Sequence, residues 1–400
     1  MINITDAKRE EQILPLWRLA FRPFFLFGGL FSSFAILLWG LYLADIVSFE
    51  PYTNMLFWHA HEMLFGFVSV FIVGFLLTAV QNWTGIRATH GKPLMLLVGL
   101  WLTARMAFLL GDVLPAWLII LLDVSFIPLA AGYFFNILRK AGHKRNLFFV
   151  PVLLLLAVGN LLLHLSVVLQ LPVLKEWGLN ATLMIIALIM TIVAGRVMPM
   201  FTANGTATCK VEPLRWLEYS VIGTSVTLVA LYLSGLVYLL PGEVIAAVFT
   251  LAAICQILRC ARWKPWITLK HPLLWSLHFA YWFIPLAFAL FASYKLGWIV
   301  NASIAIHALT AGAMSSMILS MICRVSLGHT GRMLSPPGRV KWLLLLVIWA
   351  GLVRVFGVLT GFDLIIVYLL ASLLWSLAYL LFVVTYGSML VKPRVDGRPG

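Results

Sequence analysis

Trp58-His59-Ala60-His61-Glu62-Met63-Leu64-Phe65-Gly66-Phe67 opens an apolar run that continues without a further charge to Val80. A run of this length spans a bilayer core as a helix. It therefore places two imidazoles and a carboxylate at the mouth of a membrane segment. Ionisable groups there are costly and mark functional sites by default. Residues two apart on a helix point about 200° away from each other, so His59 and His61 suit two different centres, or one ligand and one partner that orients a ligand. His59 and Glu62, three apart, share a face, the relation in which a carboxylate orients a ligating imidazole. The structural alternative is a pair of polar residues where a helix enters the headgroup layer.

Working outward, similar runs recur along all 400 residues. The chain is 62% hydrophobic and 10% charged, with a mean hydropathy of +1.02. These values exclude a soluble globule. Twelve spans are predicted at 23–44, 58–80, 93–111, 115–138, 147–169, 179–201, 217–240, 242–260, 273–294, 298–323, 341–360 and 364–386. Continuous apolar runs mean helices rather than a β-barrel. The expected fold is an all-α polytopic membrane protein: a segment 1–22, a single twelve-helix bundle over 23–386 and a tail 387–400.

The net charge of +14 sits in short loops, the signature of the positive-inside rule and not of a nucleic-acid-binding face. Lys8, Arg9, Arg18 and Arg22 precede the first span, and Arg87 with Lys92 follow the second. Arg139, Lys140, Lys144 and Arg145 follow the fourth, Lys210 and Arg215 the sixth, and Arg259, Arg262, Lys264 and Lys270 the eighth. Arg332, Arg339 and Lys341 follow the tenth; Lys392, Arg394 and Arg398 close the chain. The intervening loops carry only Lys175 and Lys295 among mostly acidic residues. Both termini are thus expected in the cytoplasm. The polar N-terminus, lacking a small-residue cleavage motif, predicts no cleaved signal peptide. Cys209, Cys255, Cys260 and Cys323 form no CxxC or CxxCH, so c-type haem attachment is unsupported and reduced thiols are expected.

This topology sets His59, His61, His164 and His307 in a layer on the far, periplasmic side. Toward the cytoplasm lie His278, Arg196, Arg324 and His329. A repeat is also legible. His61 is followed by Gly66 and Thr84-Gly85, and His307 by Gly312 and Thr330-Gly331, at equal spacings. Arg196 precedes Thr202 as Arg324 precedes Thr330, marking the second, sixth and tenth spans.

Several segments resemble the NnrS family: Leu16-Trp17-Arg18-Leu19-Ala20-Phe21-Arg22-Pro23-Phe24-Phe25, Trp58 to Phe67, and Gly74 to Gly85. So do Gly195 to Thr202, Pro272 to His278, and the run from His307 through Leu327-Gly328-His329-Thr330-Gly331-Arg332. The resemblance covers nearly the whole chain. It implies a multi-pass protein of the bacterial inner membrane that contains b-type haem and copper and is tied to nitric oxide and nitrosative stress in denitrifiers and some pathogens. The implied partners are nitric oxide or a nitrosyl species, the lipid bilayer and an unidentified electron donor. The twelve spans also resemble the threefold four-helix pseudo-repeat of haem-copper oxidases by analogy of architecture. Their adjacent His-His pair is missing here.

Haem without CxxCH is held by axial side chains, and copper takes His and Met. On these grounds His59, His61 and His307 are the first ligand candidates for either metal. His278 and His329 follow, each with an ordinary structural reading as a helix-bridging or loop imidazole. Arg196 and Arg324 are candidates for haem propionates, although intramembrane cations such as Arg105 and Arg354 pair equally well with Asp123 or Glu62. Glu62 is the candidate proton-transfer residue, or the group that orients His59. Met314, Met317 and Met321 read as packing, and His164, His143, His90 and His271 as structural or interfacial. The leading function is binding or turnover of nitric oxide at a buried His-ligated site. The alternatives are a transporter of copper, haem or a metal-nitrosyl complex, and an assembly factor with structural metals.

Overall fold

The computed structural model describes residues 12–398, so the expectations for Lys8 and Arg9 lie outside the described residues. Among the described residues there is no β-strand, and twelve helices are long and apolar enough to cross a membrane. They are α1 (Phe21–Leu43), α2 (Met55–Thr84), α3 (Lys92–Leu109), α4 (Ala116–Lys140), α5 (Lys144–Val168), α6 (Pro172–Thr206), α7 (Arg215–Leu233), α8 (Gly242–Arg262), α9 (Pro272–Lys295), α10 (Ser303–His329), α11 (Arg339–Leu359) and α12 (Leu364–Val391). Helices dominate because a chain in hydrocarbon must satisfy its backbone groups within itself. The chain is a multi-pass membrane protein.

The chain divides into two compact units. The first comprises Met1–Leu179, Ile322–Ser335 and Tyr379–Gly400; the second comprises Asn180–Met321 and Pro336–Ala378.

In the first unit, small residues let helices approach closely. A Cβ on Gly28 of α1 would lie 2.9 Å from Val70 and Phe71 of α2, and one on Gly74 of α2 would lie 2.9 Å from Phe24 of α1. Thr78 of α2 accepts from the Phe21 backbone N–H at 2.9 Å and so answers one orphan donor at the α1 start. Arg22, expected among the loop cations, is fully buried. Its guanidinium donates to the carbonyls of Leu390 (2.9 Å) and Lys392 (2.7 Å), capping the end of α12 with a positive charge. The tail then returns to α10. Arg394 donates to the His329 carbonyl at 3.0 Å and holds Asp396 bidentately, which keeps that carboxyl below the usual carboxylate range.

The second span starts earlier than the apolar run suggests. Asn54 caps it by accepting from the Phe57 N–H at 2.9 Å, so His59 and His61 sit inside the helix rather than at its tip. Directly after His61 the helix widens into a π-helix, Glu62–Val68, before returning to α-helix at Ser69. The same happens in α10: the π-helix Ala308–Met314 follows His307, and α-helix resumes at Ser315. The repeat read from the spacing thus extends to the backbone. Ser69 and Ser315 each bond the carbonyl four residues back, as do Thr84 and Thr330. Gly85 and Gly331 both end their helices with positive φ, +70° and +78°. In α6 the helix is continuously α, and Thr202 pairs with His278 instead. The repeat is therefore carried by α2 and α10, while α6 shares only the arginine–threonine spacing.

In the second unit, α10 and α11 meet at glycine: a Cβ on Gly351 would lie 2.9 Å from the Gly312 Cα. Elsewhere in this unit the buried Arg259 of α8 is paired with Glu218 of α7 and donates to the Thr191 carbonyl (2.9 Å) and to Tyr281 Oη (3.1 Å).

The Arg22 cap generates an expectation. Arg22→Ala removes charged hydrogen bonds from a fully buried position, each worth about 1.5–3 kcal/mol. The variant should unfold at clearly lower temperature in detergent, and Arg22→Lys should recover only part of the loss; equal melting curves for wild type and Arg22→Ala would remove the cap from the account.

Candidate metal centre

The π-turn is what positions the site. An i→i+5 turn breaks the 100° phase of the helix at Glu62, so sequence spacing no longer dictates which neighbour its carboxylate meets. Glu62 Oε1 accepts from His61 Nδ1 at 3.0 Å and from Arg105 of α3 at 2.6 Å. Beside the expected His59–Glu62 relation, the structure gives Glu62 a bond to His61. Gly66 makes the space: a Cβ there would lie 2.8 Å from both Arg105 Nη1 and Glu62 Oε2. Its carbonyl is answered by the Trp101 indole N–H at 3.0 Å.

The other edge of the His61 ring meets oxygen only. Its Nε2 lies 2.8 Å from Asn160 Oδ1 of α5 and 3.0 Å from Asp123 Oδ2 of α4. His164, one helical turn beyond Asn160 on α5, brings its Nε2 to 3.1 Å from the same Asp123 oxygen. Asn160 Nδ2 donates to that oxygen at 2.6 Å, and Arg105 is paired with the other one, Oδ1. His61, Asp123 and His164 thereby offer three ligand atoms within 4.8 Å of one another, all buried. Two rings flank His61 in near-parallel stacking, Phe108 at 4.5 Å and Phe57 at 5.8 Å.

The charges do not balance. Two carboxylates, Glu62 and Asp123, face one guanidinium, Arg105, and all three are at most 4% exposed. An uncompensated charge at such depth costs several kcal/mol, so a further cation belongs here. A proton shared on the imidazoles or a metal ion replacing it meets the need. His164 Nδ1 and Glu62 Oε2 have no hydrogen-bond partner among the described residues.

The profile of the family described as NnrS protein matches residues 15–394. The chain belongs to the NnrS family. No match was found among curated proteins. In this NnrS-family chain the buried histidine–aspartate group is one that could hold a metal.

The other residues singled out in the sequence lie elsewhere. His59 is half-buried and stacks on Trp39 at 4.3 Å and 9°, a different surrounding from that of His61. His278 is buried with its Nε2 2.8 Å from Thr202 Oγ1. His329 packs its ring 5.5 Å from Phe21. His307 is half-buried, and its Nδ1 donates to the Ser303 carbonyl at 2.7 Å. Arg324 is buried and Arg196 exposed. Four thiols are free, Cys209 among them exposed. His164, which the sequence reading assigns a structural or interfacial place, belongs to this cluster, and Asn160 is a partner that reading does not name. The signal available for them was a pair of polar residues four apart within one apolar span, which puts both on one helix face.

The network predicts strong coupling. Arg105→Met leaves both carboxylates buried without their cation and should cost about 3–5 kcal/mol. Asp123→Asn should cost less, and the double variant less than the sum, with a coupling of about 0.5–3 kcal/mol. Additive unfolding energies in detergent would mean that the pair does not act as a unit.

Proposed function

We propose that the His61–Asp123–His164 cluster holds a copper ion and that the protein protects against nitric oxide by binding or turning it over there. The observation that carries this reading is the oxygen-lined Nε2 edge of His61 beside an uncompensated carboxylate charge. The NnrS resemblance supplies copper, haem and nitric oxide as the chemistry to expect. We take the membrane to be the bacterial inner one, with both termini in the cytoplasm.

The donor set suits an ion. Imidazole nitrogens and one carboxylate are ligands of borderline metals such as copper. Glu62 holds the proton on His61 Nδ1 and so turns the lone pair of Nε2 inward, the carboxylate–histidine relation that orients metal ligands. Arg105 offsets the Glu62 charge and steadies Asp123 through its second oxygen. Phe57 and Phe108 keep water from the ring faces. A copper ion in such a place supplies one-electron chemistry and an electrophilic position for a small ligand. Nitric oxide, small and neutral, reaches a buried site through lipid without a hydrophilic channel. Turnover, as distinct from binding, would draw its electrons from a separate donor.

The cluster does not suit a haem iron, because axial ligation by His61 requires displacing both Asp123 and Asn160 from Nε2. The half-buried His59 of the first unit and His307 of the second, each within its own unit, are the haem-ligand candidates instead. In His307, the bond from Nδ1 to a carbonyl selects the tautomer that an axial ligand needs. The burial of all three cluster donors favours a resident ion over a transported one.

The test is copper and haem content of detergent-purified protein. Wild type should retain copper, His61→Ala and His164→Ala should lose it, and Glu62→Gln should bind it about 10–100-fold more weakly. Because the imidazoles must be deprotonated to bind, retention should fall as pH falls. Nitric oxide should change the copper spectrum of wild type alone. Copper retained in His61→Ala and His164→Ala sinks the assignment, and copper that exchanges freely and crosses vesicle membranes would favour transport.

A further inference from the structure

The likeness of α10 to α2 exposes a difference. In α2 the residue after the histidine is Glu62, which answers Arg105 near the end of the next helix. In α10 the residue after His307 is Ala308, and the arginine near the end of the next helix is Arg354. Arg354 is half-buried. Its Nη2 donates to Ser303 Oγ at 2.9 Å, and its guanidinium lies over the Tyr368 ring at 4.6 Å. Both partners are neutral, and among the described residues no carboxylate pairs with it. Ser303 Oγ is also 3.1 Å from His307 Nδ1, so hydroxyl, imidazole and guanidinium form one cluster within the second unit.

Two ordinary explanations fall short. A snorkelling arginine extends along its stem into the headgroup layer, whereas here a ring stack and a hydroxyl hold the guanidinium against its own helices. The position in the last α-helical turn of α11 gives a favourable dipole, equivalent to only about half a charge. The guanidinium remains an under-compensated cation in a membrane helix, which is a ligand site by default.

We propose that Arg354, with Ser303 and Tyr368 beside it, binds an oxyanion of carboxylate type, which takes the place that Glu62 fills in the first unit. A planar guanidinium fork matches a planar two-oxygen acceptor such as nitrite or formate, or the acidic group of a bound amphiphile. The site does not depend on the copper reading, since none of its residues belongs to the copper cluster.

The experiment uses full-length protein stripped of metal and haem, in nanodiscs of zwitterionic lipid, with thermal stability and tryptophan fluorescence as readouts. Nitrite and formate are titrated at constant ionic strength with chloride. Wild type should be stabilised saturably, Ser303→Ala should bind several-fold more weakly and Arg354→Met at least tenfold more weakly. Arg354→Met loses the bond to Ser303 and the cation over Tyr368 but leaves no carboxylate without its partner, so it should fold. Further arms add phosphatidylglycerol, or protoporphyrin IX against its dimethyl ester. An Arg354-dependent response to a lipid or to the free porphyrin acid, without one to nitrite or formate, places the anion on an amphiphile and still supports the site. Responses that are equal in wild type and Arg354→Met across all arms overturn it.

Discussion

Arg105 donates to two carboxylates inside a membrane helix bundle, and much of the first unit is arranged to permit this. Glu62 comes from α2 and Asp123 from α4, so one guanidinium ties three helices together through groups that hydrocarbon would otherwise expel. The tie is incomplete by design of charge: one negative charge is left over. The two imidazoles that converge on Asp123 stand where the balancing cation must sit. Removing either carboxylate would make the pairing simpler and the site useless for a cation.

The backbone bends to this constraint. A π-turn begins at the residue after His61, a glycine inside it clears room for the ion pair, and an indole N–H takes up a carbonyl of the widened turn. Such turns are uncommon and often accompany functional sites. α10 repeats the turn, the glycine and the serine after its own histidine. At the position directly after the histidine the two helices differ in charge, glutamate in the first and alanine in the second. Arg105 therefore finds its anions within the first unit, and Arg354 is left to neutral partners.

This arrangement also explains why so few of the histidines share a fate. His59 and His61 are two residues apart and enter unlike surroundings, one an aromatic stack, the other a closed polar cluster. His278 and His329 are placed by local partners, a threonine hydroxyl and a phenylalanine ring. A metal reading built only on the count of imidazoles in a layer would treat all of them alike. Ligand geometry separates them.

The sequence by itself determined the helical class and the twelve spans, because hydropathy is a property of contiguous residues and survives without any knowledge of packing, and its motifs carried the family resemblance. It also exposed the echo between His61 and His307, since spacing is read along the chain. It could name Glu62, Arg105 and Asp123 as costly groups that needed partners. Only the tertiary structure decided who those partners are. His164 and Asn160 come to His61 from α5, about a hundred residues away, and no periodicity encodes which faces of α2, α4 and α5 meet. Glu62 turned to His61 because the helix changed its turn at that residue, and a pattern that assumes 3.6 residues per turn is blind to that change.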